Sequence, residues 1–517
     1  MEHIFEVVNS LFAFFVPVSD LLWDFPKNLA AWARIPVLGQ FSLAMLMLLG
    51  TGLWFTLRTG GVQLRRFGQS VRIVMDRKAS ETGISPFAAF MLSSAMRAGP
   101  GNIMGVTGAV TVGGPGALFW MWVAGTFGMA TGFAEATLAQ LFKERKESEF
   151  VGGLPFYGMR VLGNRRWVGV TLAALFITYA LLNVPSQTFH LFTALGSVAS
   201  TLAGTTYGRT SAVYYAIGAL LVASVAALVL GGLKRVIRFT DLCVPFMAVL
   251  YCGVVLLLVA VNWRLVPWFF GSVLSGAFSP EAVFGGSFGV ALQQGIKRGL
   301  MVNEAGQGTI TMAAAAADNR HPVEQGLVQS MGVFFDTVVI CSMAGFVTVM
   351  ARLWTAPDAF AWGAQKADKL LVFMSSATHL TPGAAFDPAV RVALAVSYAL
   401  FAFTTLIGMI VFAEISANML SRERRFILGL RAVGALVFVP FGVLTVLADL
   451  QLGNIWYVTD LVNIIVASAN VPIILVGGRH VLAALRHYER TEGKAGFVSA
   501  RDIGLETPYW TGERPAR

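Results

Sequence analysis

Two short stretches of this chain set glycine beside groups that bind ions. One reads MRAGPGN (96–102), the other NEAGQGT (303–309), and each lies inside a long apolar run. In the first, Gly99, Pro100 and Gly101 stand in a row. Proline there removes a helical hydrogen bond and crowds the preceding turn. Unwound backbone is tolerated in a lipid core only where it lines a cavity or a ligand. A half-helix restarting near Asn102 would aim free N–H groups into such a cavity, which suits a carboxylate. Carbonyls released upstream, around Ala95 to Ala98, suit a small cation or an ammonium group. The backbone from Asn303 to Gly308 offers the same two kinds of end. One zwitterion and one or more cations would satisfy both breaks. The competing reading is plain helix packing, and Gly101 and Gly105 do have small-xxx-small spacing. Two matched Gly/Pro clusters with Asn and Glu beside them favour binding.

Ionisable residues inside apolar spans are costly and default to functional candidates. Glu304 sits in the second break, about two turns after Lys297 and Arg298, and Arg97 sits beside the first. Glu304 either pairs with a nearby base to hold the unwound segment or touches the ligand. Glu135 and Asp336, in MATGFAEATLAQ and VFFDTVVI, read as partners of a buried arginine or as proton relays. His190 and His321 read as isolated histidines. Thr404 and Thr405, in LFAFTTLIGM, either bond back to carbonyls one turn earlier or give oxygen ligands to sodium.

The elements that must position these residues are membrane helices. Of 517 residues, 56% are apolar and 13% charged, about half the charged share of a soluble domain. Apolar runs of about 20 residues, long enough to cross a bilayer, recur along the chain. Eleven are expected, at 38–57, 86–112, 116–141, 167–193, 212–232, 240–262, 286–316, 325–351, 389–413, 426–447 and 455–477. The net charge of +10 could suggest a nucleic-acid partner, but its placement argues otherwise. With loops alternating sides, 26 Lys and Arg fall on one side and 7 on the other. The positive-inside rule then puts the N-terminus outside and the C-terminus in the cytoplasm of a bacterial-type inner membrane. The three cysteines all lie in apolar spans without ligand-like spacing, so no disulfide, metal centre or cofactor is implied. The first residues lack a signal peptide's basic n-region, and 4–23 reads as an amphipathic helix on the outer surface within an external segment 1–37. The outer loop 353–388, with Trp354, Phe360, Trp362, Leu370, Leu371 and Phe373, should pack on the membrane face. The tail 478–517 has no periodicity and reads as a loosely ordered cytoplasmic extension.

A weak duplication organises the spans into an all-α polytopic architecture. Five spans over 86–262 are followed by five over 286–477, and the first of each set carries the break. Five is odd, so the halves must be inverted, and paired breaks in inverted halves point to a carrier's binding site. The span at 38–57 is an accessory helix.

Three motifs then resemble the alanine or glycine:cation symporter family. They are GNIMGV with GGPGALFWMWVAGTFGMATGFAEATLAQLFKER (101–106, 113–145), GIKRGLMVNEAGQG through GVFFDTVVIC (295–341), and LFAFTTLIG through FAE (400–414). The similarity runs from about 38 to 480. It implies a leucine-transporter-type fold of five plus five inverted helices with one extra N-terminal helix. It also implies sodium-coupled uptake of alanine, glycine or a similar small amino acid, with sodium as coupling ion. By that resemblance Gly99, Gly101 and Asn102 bind the substrate carboxylate, while Ala95 and Ala98 carbonyls with Thr404 and Thr405 hydroxyls hold sodium. Asn303, Glu304, Ala305, Gly306 and Thr309 border the amino group and side chain, and Gln187 matches a polar residue of the third core helix. Pro100 departs from the usual Thr or Ser and has no N–H to offer. Met409 stands near a position often held by a larger aromatic, and Arg97 beside the cavity would favour an additional substrate carboxylate or weaken a nearby sodium.

The rivals are a proton-coupled carrier working through Glu304 or Glu135, a carrier of acidic amino acids, a membrane-embedded enzyme and a channel. An enzyme lacks a nucleophile–base pair at matched depth, and a channel lacks a repeated pore motif.

Overall fold

The computed structural model describes residues 13–35, 38–75, 83–147, 149–278, 287–353, 369–448 and 453–512. Among these, eight helices are long and apolar enough to cross a membrane. The helices that frame the two breaks are α1 (Leu43–Arg58), α2 (Pro86–Arg97), α3 (Pro100–Gly113), α4 (Gly116–Leu141), α5 (Leu154–Val161), α6 (Arg166–Ala203), α7 (Ala212–Val229) and α8 (Leu233–Val261). They continue as α9 (Ser287–Asn303), α10 (Ile310–Ala316), α11 (Pro322–Met350), α12 (Asp387–Ala417), α13 (Arg424–Leu447) and α14 (Gly453–Arg490). The remaining three expected spans differ in kind from the eight. Span 38–57 becomes the 16-residue α1, and spans 86–112 and 286–316 are each divided, into α2 with α3 and α9 with α10.

Several helices outrun their apolar runs because polar first and last turns continue past the lipid. α6 begins at Arg166, α8 at Leu233 just before Lys234, and α14 ends at Arg490. Starts follow local chemistry. Ser85 caps α2, its hydroxyl accepting the Ala88 N–H at 3.1 Å, with Pro86 next in the first helical position. Ser42 caps α1 in the same way. Near the N-terminus, Val16–Asp24 is helical, and buried Trp23 donates its indole N–H to the Asp460 carbonyl at 3.2 Å. In the loop 353–388, Lys369–His379 is helical and Phe373 is buried, while Trp354, Phe360 and Trp362 lie outside the described residues.

α4 and α12 are buried along most of their length and form the spine. On α4 the small residues make this possible. Positions Gly125, Gly128 and Gly132 lie against Thr337, Asn303 and Ile310, so both α11 and the second break sit directly on the helix. Gly116, in the first turn of α4, is tighter still: a Cβ there would lie 2.2 Å from the Gly276 carbonyl carbon and oxygen. Backbone cannot yield as a side-chain tip can. Gly116→Ala is therefore expected to cost about 1–3 kcal/mol, read as a lower thermal-unfolding temperature of the purified protein.

The tail is not a loose extension. α14 carries the chain helically to Arg490, Ser499–Ile503 forms another helical turn, and Trp510 is buried. Tertiary contacts, which leave no periodicity in the sequence, hold it.

Candidate functional site

Both expected breaks are present. At the first, α2 stops at Arg97, Gly99 is extended (φ −115°, ψ −178°), and α3 starts at Pro100. Asn102 stitches the break. Its Oδ1 accepts the Gly99 N–H at 3.0 Å, and its Nδ2 donates to Asp336 Oδ1 at 2.5 Å and faces Cys341 Sγ at 3.6 Å. Pro100 occupies the first helical position, where φ near −65° is wanted and an N–H has no helical partner. Gly101 is exposed, and a Cβ added there would meet nothing within 4 Å. The amino end of α3 thus faces open space.

α12 crosses this break. The Thr405 hydroxyl lies 3.3 Å from the Ala95 carbonyl, 3.3 Å from that of Met96 and 2.9 Å from that of Phe401. Gly99 admits it, since a Cβ there would sit 2.9 Å from Thr405 Oγ1. The Thr405 proton cannot serve all three carbonyls, and the Thr404 hydroxyl reaches only that of Phe401, so oxygen lone pairs converge here without enough hydrogens to bind them. Such a spot suits a hard cation. Thr404 meets it only at the shared Phe401 carbonyl, 3.1 Å from its hydroxyl, and otherwise faces Met247 Sδ on α8 at 3.6 Å, away from the end of α2. Met409 is buried one turn after Thr405. Gln187 bonds to Asn183 one turn earlier on α6, at 2.8 Å, and no described hydrogen bond ties it to either break.

At the second break the chain is unwound between Asn303 and Ile310, with positive φ at Glu304 (55°), Gly306 (86°) and Gly308 (82°). Glycine takes this conformation freely, whereas for Glu304 it is uncommon. The segment is held from α4. Glu135 accepts the Gly306 N–H at 3.0 Å through one oxygen and the Gly308 N–H at 3.3 Å through the other. Asn470 donates to Glu135 at 3.1 Å and to the Gly306 carbonyl at 2.9 Å, and its own carbonyl accepts the Tyr157 hydroxyl at 2.5 Å. Glu135 therefore pairs with backbone and an amide instead of a buried arginine. Asn303 Oδ1 accepts the Ala305 N–H at 2.9 Å, and Gln307 reaches back to the Leu300 carbonyl at 3.0 Å.

Arg97 is buried and donates to Gln329 Oε1 at 2.9 Å, pointing at Gly332 of α11. It makes no direct ion pair among the described residues, but Asp336 is its nearest opposing charge, and Asp336 also accepts from Asn102, from a π-helical turn (Phe334–Ile340) in α11. Such turns recur at functional sites. Several buried polar atoms around the breaks have no close hydrogen-bond partner among the described residues: Arg97 Nε and Nη1, Glu304 Oε2, Asn303 Nδ2 and Thr309 Oγ1, with Thr309 near enough to Glu304 to interact weakly with it. A buried donor or acceptor without a partner costs about 1–3 kcal/mol. Five of them around two breaks mark a place built to receive something. Among the described residues Arg97 is the base that faces Glu135, Glu304 and Asp336 there.

Sequence reasoning missed Asn470, Tyr157, Gln329 and the Phe401 carbonyl. The i, i+4 pair Gln325 and Gln329, and the amide of ASANVP (467–472) in an apolar helix, were the signals available. His190 and His321 are not isolated: His190 Nδ1 is 2.9 Å from the Tyr398 hydroxyl, and His321 Nε2 is 3.2 Å from His487 Nδ1.

Residues 28–500 match the profile of the sodium:alanine symporter family. The probable sodium/glutamine symporter GlnT of Bacillus subtilis is 32% identical over 503 residues, covering 96% of this chain and 92% of that protein. The sodium/alanine symporter AgcS of Methanococcus maripaludis is 37% identical over 320 residues, covering 60% of this chain and 68% of that one. A crystal structure of MhsT in complex with L-phenylalanine shares the fold with a TM-score of 0.53 and 14% identity, over 84% of this chain and 95% of that one.

Proposed function

Since the chain belongs to the sodium:alanine symporter family, and is a multi-pass carrier of small amino acids by symport, we propose that it couples sodium to uptake of a neutral one such as alanine or glycine. It works by alternating access at the two breaks. The observation that carries this reading is the oxygen cluster at the carboxyl end of α2, set beside the open amino end of α3. In this assignment sodium takes Thr405 Oγ1 and carbonyls of the Ala95–Ala98 segment and Phe401. The substrate carboxylate takes the Gly101 N–H at the α3 first turn, beside Gly99 and Asn102, whose own N–H groups are held by Asn102 Oδ1 and the Gly99 carbonyl. Glu304, Asn303, Ala305, Gly306 and Thr309 face the ammonium group and side chain, and Met409 and Gln187 bound the pocket. The excess of carboxylates over Arg97 around the breaks calls for neutralisation by bound cations or by protons, because uncompensated charge in a bilayer is expensive.

The two halves of the carrier are 86–262 and 286–477, inverted about the membrane plane, with α1 accessory. The bias of 26 bases to 7 supports a cytoplasmic C-terminus and an inner-membrane location. A second reading, proton coupling, has its own observation in the unpartnered Glu304 Oε2. The unpartnered Arg97 Nε and Nη1 do the same for a substrate with an additional carboxylate.

Uptake of labelled alanine, glycine, glutamine and glutamate into proteoliposomes, under sodium or proton gradients imposed separately, decides among these. Accumulation of alanine or glycine driven by sodium alone is expected. Accumulation indifferent to both gradients would sink the symporter reading. Pro100→Thr adds a donor at the amino end of α3. It is expected to lower the KM for alanine about tenfold, since a hydrogen bond to a charged group is worth about 1.5–3 kcal/mol. An unchanged KM would mean that this N–H is not used.

A further inference from the structure

The two broken helices are tied together at the ends that lie away from the breaks, and the C-terminal tail is fastened to that tie. The Ile84 N–H donates to the Ala316 carbonyl at 3.1 Å and the Asp318 N–H to the Ile84 carbonyl at 2.8 Å. The start of α2 and the end of α10 are thereby one unit. Gln140 and Lys143, at the end of α4, both donate to the Ala317 carbonyl, at 2.9 and 2.6 Å. Lys143 is fully buried, and its ammonium group lies 4.0 Å from the ring centre of Phe150, 4.6 Å from Tyr509 and 5.3 Å from Trp510. A cation enclosed by aromatic faces is held by their quadrupoles once water is excluded.

Two of those three rings belong to the tail. Trp510 is 1% exposed and donates its indole N–H to the Gln140 carbonyl at 2.7 Å. The tail is built to present it. The Ser499 N–H and hydroxyl both donate to the Trp510 carbonyl, at 2.9 and 3.0 Å, and the Thr507 hydroxyl accepts the Trp510 N–H at 3.3 Å. Asp502 accepts the Val498 N–H at 2.8 Å. Phe497 packs between Trp510 and His321, with ring centres 5.5 and 4.5 Å away, which brings in the start of α11. Residues 497–510 thus form a small self-capped lobe whose Trp510 is seated on the end of α4 and whose Tyr509 packs on Phe150 of the strand Glu149–Val151, ring centres 4.7 Å apart.

We propose that this C-terminal lobe is a latch on the cytoplasmic gate: it holds the joined ends of α2 and α10 against α4, and it must release before the site opens inward. Opening the site on this side has to draw the start of α2 away from α10 and α4, so an element that fixes these three ends to one another opposes that motion. Lys143 is a positioning residue in the latch, since it grips the lobe and the Ala317 carbonyl at once.

The inference rests on the alternating-access reading and on the proposed orientation, but its test needs neither substrate nor gradient. Amide hydrogen exchange is followed by mass spectrometry on the wild type, Trp510→Ala, Trp510→Phe and a chain ending at Arg490, all in lipid nanodiscs. In Trp510→Ala and the truncated chain, exchange is expected to quicken about tenfold or more over 83–97 and 310–318, while the middle of α6 is unchanged. Trp510→Phe keeps an aromatic ring but loses the indole N–H and part of the buried area, and is expected to fall between. Unaltered exchange at both helix ends in Trp510→Ala and the truncated chain would overturn the proposal. So would quickening spread evenly over the whole chain, which would make the lobe a general stabiliser. Failure of sodium-driven uptake with the exchange result intact would condemn the transport assignment and leave the latch standing.

Discussion

Replacing Glu135 with alanine is expected to cut uptake by on the order of 100-fold or more, with α4 and its neighbours still folded. The reasoning starts from the backbone of the second break. Unwinding 304–309 releases N–H groups at Gly306 and Gly308, deep in the protein, and Glu135 accepts both while also accepting from Asn470. Alanine leaves three buried donors without an acceptor, each costing about 1–3 kcal/mol. Asn470 can shift its bonds toward the Gly306 carbonyl, which it already reaches. The backbone donors cannot move without rewinding the segment. The expected result is a segment that collapses or refolds, and with it the loss of whatever Glu304, Thr309 and Asn303 hold. Glu135→Gln retains one acceptor oxygen and turns an NH2 toward the other N–H, so it should fall between wild type and alanine. Glu135→Asp is shorter by one methylene and should be nearly as poor as alanine. Proteoliposome uptake and thermal unfolding are read together. Normal transport by Glu135→Ala would show that the carboxylate does not hold the break.

The same contact shows what could and could not be read from sequence. The breaks themselves were legible because their grammar is local: Gly99-Pro100-Gly101 cannot continue a helix comfortably, and glycine at 306 and 308 permits the positive φ found there. Membrane spans were legible for the same reason. The partners were not, because Glu135 lies 171 residues from Gly306 and 335 from Asn470. A buried carboxylate announces that it needs a partner and says nothing of which one. An arginine was the natural expectation for both Glu135 and Asp336; Glu135 is instead held by backbone amides and Asn470, whereas Asp336 faces the Arg97 charge and also accepts from Asn102. The tail failed differently. Its order depends on a tryptophan docking 370 residues away on Gln140, and no periodicity records a contact of that kind.

Thr405→Ala is expected to raise the half-saturating sodium concentration about tenfold or more, whereas Thr404→Ala should change it less than about twofold. Sequence offered the two hydroxyls as equals. Successive residues on a helix point about 100° apart, so only one of an adjacent pair can face a given neighbour. α12 turns Thr405 onto the end of α2 and Thr404 onto Met247. Without a cation, the Thr405 proton rests on the Phe401 carbonyl one turn earlier, leaving the Ala95 and Met96 carbonyls to share what remains. A cation placed among these oxygens would draw on the hydroxyl's lone pairs and on all three carbonyls together. Losing the hydroxyl removes one charge-assisted contact, worth about 1.5–3 kcal/mol, which is roughly a tenfold to hundredfold loss of affinity. At saturating sodium the maximal rate should recover, because the substrate contacts at the amino end of α3 are untouched. Thr405→Ser keeps the oxygen and should resemble wild type. The measurement is uptake against sodium concentration in proteoliposomes for all three variants. Equal sodium curves for Thr405→Ala and Thr404→Ala would move the cation site away from the junction of α2 and α12.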